Sequence, residues 1–377
     1  MELPGQVVAW SVTNPDLLKR LLSDPRVSKD PNQHWPAYTR GEIPADWPLH
    51  LWVSVKNMFT AYGGDHRRLR ALVSKAFTPR RTQNLRPQVE QITAELISAL
   101  AAGPNTADLR ETFAYPLPIE VICQLFGIPD DARPGLKRAV DGVFNTTATP
   151  EEAAANVQDM YRILSELVAA KREKPGDDLA SALISARDED NSRLEEAEMV
   201  DTLILVISAG HETTVNLLDH AITALLTHPE QLRLVLDGER TWTDVIDETL
   251  RWQAPVAHLP LRYAVEDIEI DGLTIQAGEP ILASYAAAGR DSAHHGEDAD
   301  RFDLTREDKG SLAFGHGVHY CLGAPLARLE AEIALPALFT AFPDLTLAVP
   351  AEELETVASF ISNGHRTLPA FLTKPAD

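Results

Sequence analysis

A chain of 377 residues with 44% hydrophobic and 24% charged side chains has the composition of a folded protein able to enclose a small molecule. Its formal net charge of −22 repels phosphate backbones and anionic lipid, which excludes nucleic acid and membrane as general partners. Only two cysteines, Cys123 and Cys321, are present, too few for a disulfide framework and suited to a reducing, cytoplasmic setting.

The opening MELPGQVVAWSV lacks the basic and apolar regions of a secretory signal, and its β-branched stretch Val7 to Val12 reads as strand. Next comes GGDHRRLRALVSKAFTPRR, Gly63 to Arg81. Between Asp65 and Arg86 there are seven basic residues and one acidic residue, a local reversal of the overall charge. That pattern fits a solvated helix face, and equally a site for anionic groups or an acidic partner. Helical spacing follows over Pro87–Ala101, Glu151–Lys171, Glu195–Leu226 and Thr243–Gln253. Gly103-Pro104-Asn105 and Lys174-Pro175-Gly176-Asp177 read as surface connections. The stretch from Leu259 to Tyr285 alternates and is broken at Asp271-Gly272 and Ala277-Gly278, which predicts hairpins. A last helix is expected over Ala324–Leu335. The longest apolar run, Leu203 to Ile207, is too short to span a bilayer. With no repeat and no linker, the expected fold is mostly α with a small β-sheet region, in a single domain over residues 1–377.

Cys321 lies in FGHGVHYCLGAPLAR, among Gly315, Gly317 and Gly323. Glycines allow a backbone to lie close against a flat object, and a helix starting just past the cysteine would favour a thiolate. A buried structural cysteine is the plainer reading, and a zinc site from His316, His319 and Cys321 matches no paired ligand spacing. In the apolar segment around AGHETT, Gly210 weakens the helix by about 1 kcal/mol relative to alanine, beside Glu212 and Thr213. An acid and an alcohol there would hold water and pass protons; alternatively Glu212 points to solvent or pairs with an arginine in a kinked core helix. Glu248 and Arg251 share a helix face and can pair.

In this order and at these spacings the pieces resemble the cytochrome P-450 monooxygenases, specifically the soluble bacterial type. Phe314, Gly317, Cys321 and Gly323 fit the F-x-x-G-x-x-x-C-x-G haem loop. Ala209-Gly210-x-Glu212-Thr213 fits the oxygen-activating helix, and Glu248 with Arg251 fits the E-x-x-R helix, with Arg301 as third member of its ion network. The resemblance covers essentially the whole chain and implies a single-domain cytochrome P-450 fold holding haem b (iron protoporphyrin IX). Cys321 would be the metal ligand, flanked by Phe314, Gly315 and Gly323. His66, Arg70, Arg262 and His319 would meet the haem carboxylates, and His316 would have no role. Glu212 and Thr213 would be the catalytic acid–alcohol pair.

The activity so implied is a monooxygenase that takes O2 and two electrons and hydroxylates or epoxidises a hydrophobic small molecule such as a macrolide, steroid or terpenoid. A peroxide-driven haem-thiolate enzyme and a non-enzymatic haem sensor are the alternatives. Pocket walls are expected from about Trp35 to Tyr62, from Ala139 to Lys171, from Leu205, Val206 and Ala209, from Val256 to Leu259, and near Phe360 and Ile361. His258 would either meet a substrate oxygen or serve as scaffold. Arg67, Arg68 and Lys75 would dock an acidic ferredoxin or flavodoxin. The chain departs from the family in Gly63-Gly64, where prolines are usual, in Ala299, which replaces a proline before Arg301, and in a start close to the first strands.

Overall fold

The protein is described by a computed structural model covering residues 1–187 and 192–374. Polar caps followed by proline start several helices. Asn14 accepts from the Leu17 amide at 2.9 Å and Pro15 takes the first turn of α1 (Pro15–Ser23). The longer helices that follow include α2 (Gly63–Ala76), α3 (Arg86–Ala102), α4 (Pro116–Phe126) and α5 (Arg133–Phe144). A capping box between Thr149 and Glu152, with bonds of 2.9 and 3.2 Å, opens α6 (Pro150–Glu173). The 32-residue α7 (Glu196–Thr227) follows, and a second capping box, Thr241 with Asp244, opens α8 (Trp242–Trp252). The last long helix, α9 (Ala324–Ala341), continues past the expected end at Leu335 because Pro336 lies on its half-exposed side, with Glu332, whose carbonyl it leaves without an amide.

The strands are short: β1 (Trp10–Val12), β2 (Val27–Ser28), β3 (Thr106–Asp108), β4 (Leu259–Ala264), β5 (Ile268–Ile270), β6 (Leu273–Ile275), β7 (Pro280–Ala283), β8 (Thr346–Leu347) and β9 (Pro369–Phe371). They form a four-stranded sheet ordered β1-β7-β4-β2, a three-stranded sheet β3-β9-β8, and the hairpin β5-β6. The turn at Asp271-Gly272 closes that hairpin as expected. Ala277-Gly278 does not make another. Beyond it β7 leaves β6 and pairs antiparallel with β4 and parallel with β1, because the hydrophobic Ile281, Leu282 and Ala283 are buried there.

Helix α7 is the centre of the core. Leu217, Leu218, Ala221, Ile222, Ala224 and Leu225 are each at most 1% exposed, and α4, α6, α8 and α9 pack around the helix. Burying a large aliphatic side chain in this way contributes about 1.5–3 kcal/mol. Among the described residues no helix is long and apolar enough to cross a membrane.

The pairing of Glu248 with Arg251 is wholly buried. Arg251 spends two donors on the Glu248 carboxylate, at 2.7 and 2.8 Å, and the rest on the carbonyls of Gly289, Ala299 and Arg301 at 2.7–2.8 Å. All five guanidinium hydrogens are thereby satisfied. Arg301 joins this network through its carbonyl only, its side chain being exposed; the further guanidinium near Glu248 belongs to Arg306, 3.5 Å from Oε1. Ala299, where a proline was the family expectation, supplies one of the bonded carbonyls.

Candidate active site around Cys321

The loop ahead of α9 is shaped by Gly315 and Gly317, whose φ values of +71° and +69° disfavour any side chain. At Gly317 a Cβ would also sit 2.5 Å from the Leu22 carbonyl oxygen at the end of α1. Gly323 has an ordinary φ of −81°. A Cβ on it would meet only Cys321 Sγ, at 3.8 Å, so a side chain there would project into the open space beside the sulfur. The Cys321 amide donates to the Phe314 carbonyl at 2.9 Å, folding the loop back on itself. Surrounding protein pushes the Cys321 thiol up, against the Gly323 and Ala324 amides and Arg70, which favour the thiolate. Its sulfur is nonetheless accessible, through the cavity it lines.

That cavity holds about 1580 Å³ of space free of protein atoms, part of it open to solvent. Phe314, Gly315, Cys321 and Gly323 form one wall, and Ala209, Gly210, Thr213 and Thr214 of α7 form another. Arg70, Arg262 and His319 stand at its polar edge together with Lys29, which sequence reasoning missed. His66 is 4% exposed and packs on His319 with ring centroids 4.2 Å apart, so the structure gathers all four residues expected at the haem carboxylates. Lys29 Nζ, His66 Nε2 and one Arg262 nitrogen are buried without a hydrogen-bond partner. Arg70 donates to the Tyr320 carbonyl at 2.6 Å. Burial, then Arg70, Arg67 and Lys29, push His66 down to about 4; burial and the same cationic surroundings hold His319 far below its ordinary value. Burial among these cations thus favours the neutral form of both imidazoles.

Helix α7 runs unbroken through Gly210. A Cβ there would lie 3.1 Å from Ile122 Cδ1 of α4, so the glycine also admits a close helix neighbour. Thr213 Oγ1 donates to the Ala209 carbonyl at 2.7 Å. Glu212 is not part of the cavity wall. Its carboxylate accepts from Arg110 at 2.9 Å and from Ser362 Oγ at 2.8 Å, so the arginine-paired alternative describes its resting state. Arg110 also donates to Asn216 and lies 3.6 Å from Asp219, which bonds His365. Neither Arg110 nor Ser362 carries a sequence signal, because their partners lie more than a hundred residues away.

Elsewhere the expectations divide. Trp52, Met58, Phe59, Phe144, Leu205, Val206, Val256 and Leu259 line the cavity. The region from 150 to 171 and the pair Phe360–Ile361 do not; Phe360 instead stacks on His258, which bonds Ser284 at 3.2 Å as scaffold. Of the expected docking cations, Arg68 pairs with Glu198, while Arg67 and Lys75 are exposed, Lys75 donating to the Arg187 carbonyl.

An accessible sulfur, an alcohol and a cluster of unpaired cations around one apolar cavity define a cofactor-dependent enzyme site. The Cytochrome P450 family model matches residues 151–235 and 242–353. Among curated proteins, 2-hydroxy-5-methyl-1-naphthoate 7-hydroxylase of Streptomyces carzinostaticus is 46% identical over 374 residues, covering 99% of this chain and 91% of that protein. The mycinamicin IV hydroxylase/epoxidase of Micromonospora griseorubida is 39% identical, covering 96% and 89%. Among solved structures, CYP154A1 from Streptomyces coelicolor A3(2) superposes with a TM-score of 0.92 at 56% identity, covering 97% of this chain and 92% of that one. CYP154C4 from Streptomyces sp. ATCC 11861 superposes at 0.95 with 45% identity, covering 100% and 93%. The chain belongs to the cytochrome P450 family and is an oxidoreductase, a P450 monooxygenase.

The family's haem-iron cofactor fits the residues present. The sulfur opens into the cavity, Gly323 leaves room beside it, and three buried cationic or imidazole nitrogens lack the acceptors that two haem carboxylates would supply.

Proposed function

We propose that residues 1–377 form one haem-thiolate domain that binds haem b and uses O2 to hydroxylate or epoxidise a hydrophobic small molecule. The observation that carries this reading is the shared cavity of Cys321, Thr213 and the unpaired cations. When bound, haem iron supplies the oxygen chemistry, and thiolate ligation favours O–O cleavage. Cys321 Sγ is the ligand, cradled by Phe314, Gly315 and Gly323; His66, Arg70, Arg262 and His319 hold the haem carboxylates. Thr213 Oγ1 would exchange its bond to the Ala209 carbonyl for one into the cavity, and Glu212, on leaving Arg110 and Ser362, would take a proton from solvent and pass it to the threonine. Such an acid–alcohol relay serves O2 and would be idle in a peroxide-driven enzyme.

The lining favours an apolar, ring-containing substrate, since Trp52, Phe59, Phe144, Leu205 and Val256 present few polar atoms. Relatives point the same way: one is named for a naphthoate, one for a macrolide, and CYP154C4 was solved testerone-bound. Macrolides, steroids and terpenoids should therefore shift the haem iron to high spin in optical titrations, while small polar alcohols should not. Failure of every apolar compound to do so would contradict the substrate class.

Electrons are proposed to come from an acidic ferredoxin or flavodoxin in the cytoplasm, a compartment that suits free thiols. The docking cations are Arg67 with Lys19 and Arg20, the last two beside His316 of the cysteine loop. Charge reversal at Arg67 and Arg20 should slow reduction by such a partner at low salt and have little effect at high salt. Unchanged reduction at low salt would move the docking face elsewhere.

A further inference from the structure

Lys29 is a charged side chain with no evident reason to be where it is. It is 3% exposed, among the described residues its ammonium has no hydrogen-bond partner, and it packs on the Phe59 ring with Nζ 3.6 Å from the centroid. A ring face offsets only a small part of the cost of burying an ammonium. Nothing in the local sequence, VSKDP, demands a lysine.

Its position in the sheet sharpens the puzzle. Strand β2 pairs antiparallel with β4 in the register Val27 to Ala264 and Ser28 to Tyr263, and one further step sets Lys29 level with Arg262. Residues level across two strands project to the same face, and like charges so placed repel. Both side chains line the cavity, and Arg262 likewise has a buried nitrogen without a partner. Two cross-strand cations at one cavity edge repel, and an anion between them would offset that repulsion.

We propose that Lys29 is a cofactor-binding residue that pairs, together with Arg262, with a carboxylate of the bound haem. The inference rests on the haem-thiolate reading above and adds an anchor from the residue just past β2, a part of the chain in which the sequence motifs place none. Phe59 packs against the ammonium and keeps it directed into the cavity instead of toward water. The pair of strands thus carries one haem carboxylate, leaving Arg70, His66 and His319, from α2 and the cysteine loop, for the other.

The test is a comparison of wild type, Lys29→Met and Lys29→Arg, each loaded with haem b and, separately, with its dimethyl ester. The readout is the rate of transfer to excess apomyoglobin. Methionine keeps the apolar stem against Phe59 and removes only the charge. Lys29→Met should release haem b on the order of 10-fold faster, the effect of one charge-assisted hydrogen bond, and Lys29→Arg should stay near wild type. With the dimethyl ester, wild type and Lys29→Met should release at the same rate. Equal release of haem b, or an acceleration that persists with the ester, overturns the assignment. So does unchanged haem release combined with weaker binding of an aromatic acid but not of its methyl ester, which would give Lys29 to the substrate. In all of these the red-shifted band of the reduced carbon monoxide complex stays; its absence from wild type would instead bring down the haem-thiolate reading itself.

Discussion

Replacing Arg251 with methionine should destabilise the protein by about 3–5 kcal/mol, read as a fall in the urea midpoint. The guanidinium is fully buried and its five hydrogens reach one carboxylate and three carbonyls, so truncation leaves the buried Glu248 charge with the Asp303 amide as its remaining bonded donor and takes the Arg251 donor from the carbonyls of Gly289, Ala299 and Arg301. Those carbonyls belong to the segment that leads into the cysteine loop, so haem content should fall along with stability. Lysine would not rescue the variant, because a single ammonium cannot reproduce a planar fork that reaches four acceptors. Residual charge from Arg306, 3.5 Å from Glu248, is too poorly placed to substitute. A midpoint shift worth less than about 1 kcal/mol would show that the network is not what holds this region.

Glu212→Gln should lower product formation by about a hundred-fold, the range of a lost general acid. Glutamine still accepts from Ser362 and from Arg110, and Asp219 remains 3.6 Å from Arg110, so the fold should survive. Thr213→Val should leave reductant consumption largely intact while less of it is recovered as product, and Thr213→Ser should restore the yield. A Glu212→Gln enzyme working within two-fold of wild type, with no change in solvent isotope effect, would remove Glu212 from proton delivery.

How much of this was legible beforehand depends on how local each signal is. Helices α3, α6, α7 and α8 begin and end within two residues of their expected bounds, since capping residues and apolar spacing are written in the segment itself. Helix α4 was given no bounds beforehand: eight of its residues are buried, so PLPIEVICQLF reads as a nearly continuous apolar stretch that a helix and a strand could share. The partner of β7 was also hidden, since turn chemistry marks where a strand ends but not which strand it joins. At the site, the glycine-bracketed cysteine and the four residues proposed for the haem carboxylates could be named from spacing matched to a family. Lys29, Arg110 and Ser362 could not, because each acquires meaning only from a distant partner: Lys29 from the β2–β4 register, the others from α7. For Glu212, the sequence offered both a proton relay and an arginine pair, and the side chain is held by Arg110 at rest.

The most direct test of the central claim is the absorption spectrum of the haem-loaded, reduced protein under carbon monoxide. Wild type should give the strongly red-shifted Soret band of a thiolate-ligated haem, and Cys321→Ala should lose it while Cys123→Ala, buried in α4, keeps it. A wild-type protein without the shifted band, or a Cys321→Ala protein that retains it, would contradict Cys321 as the ligand.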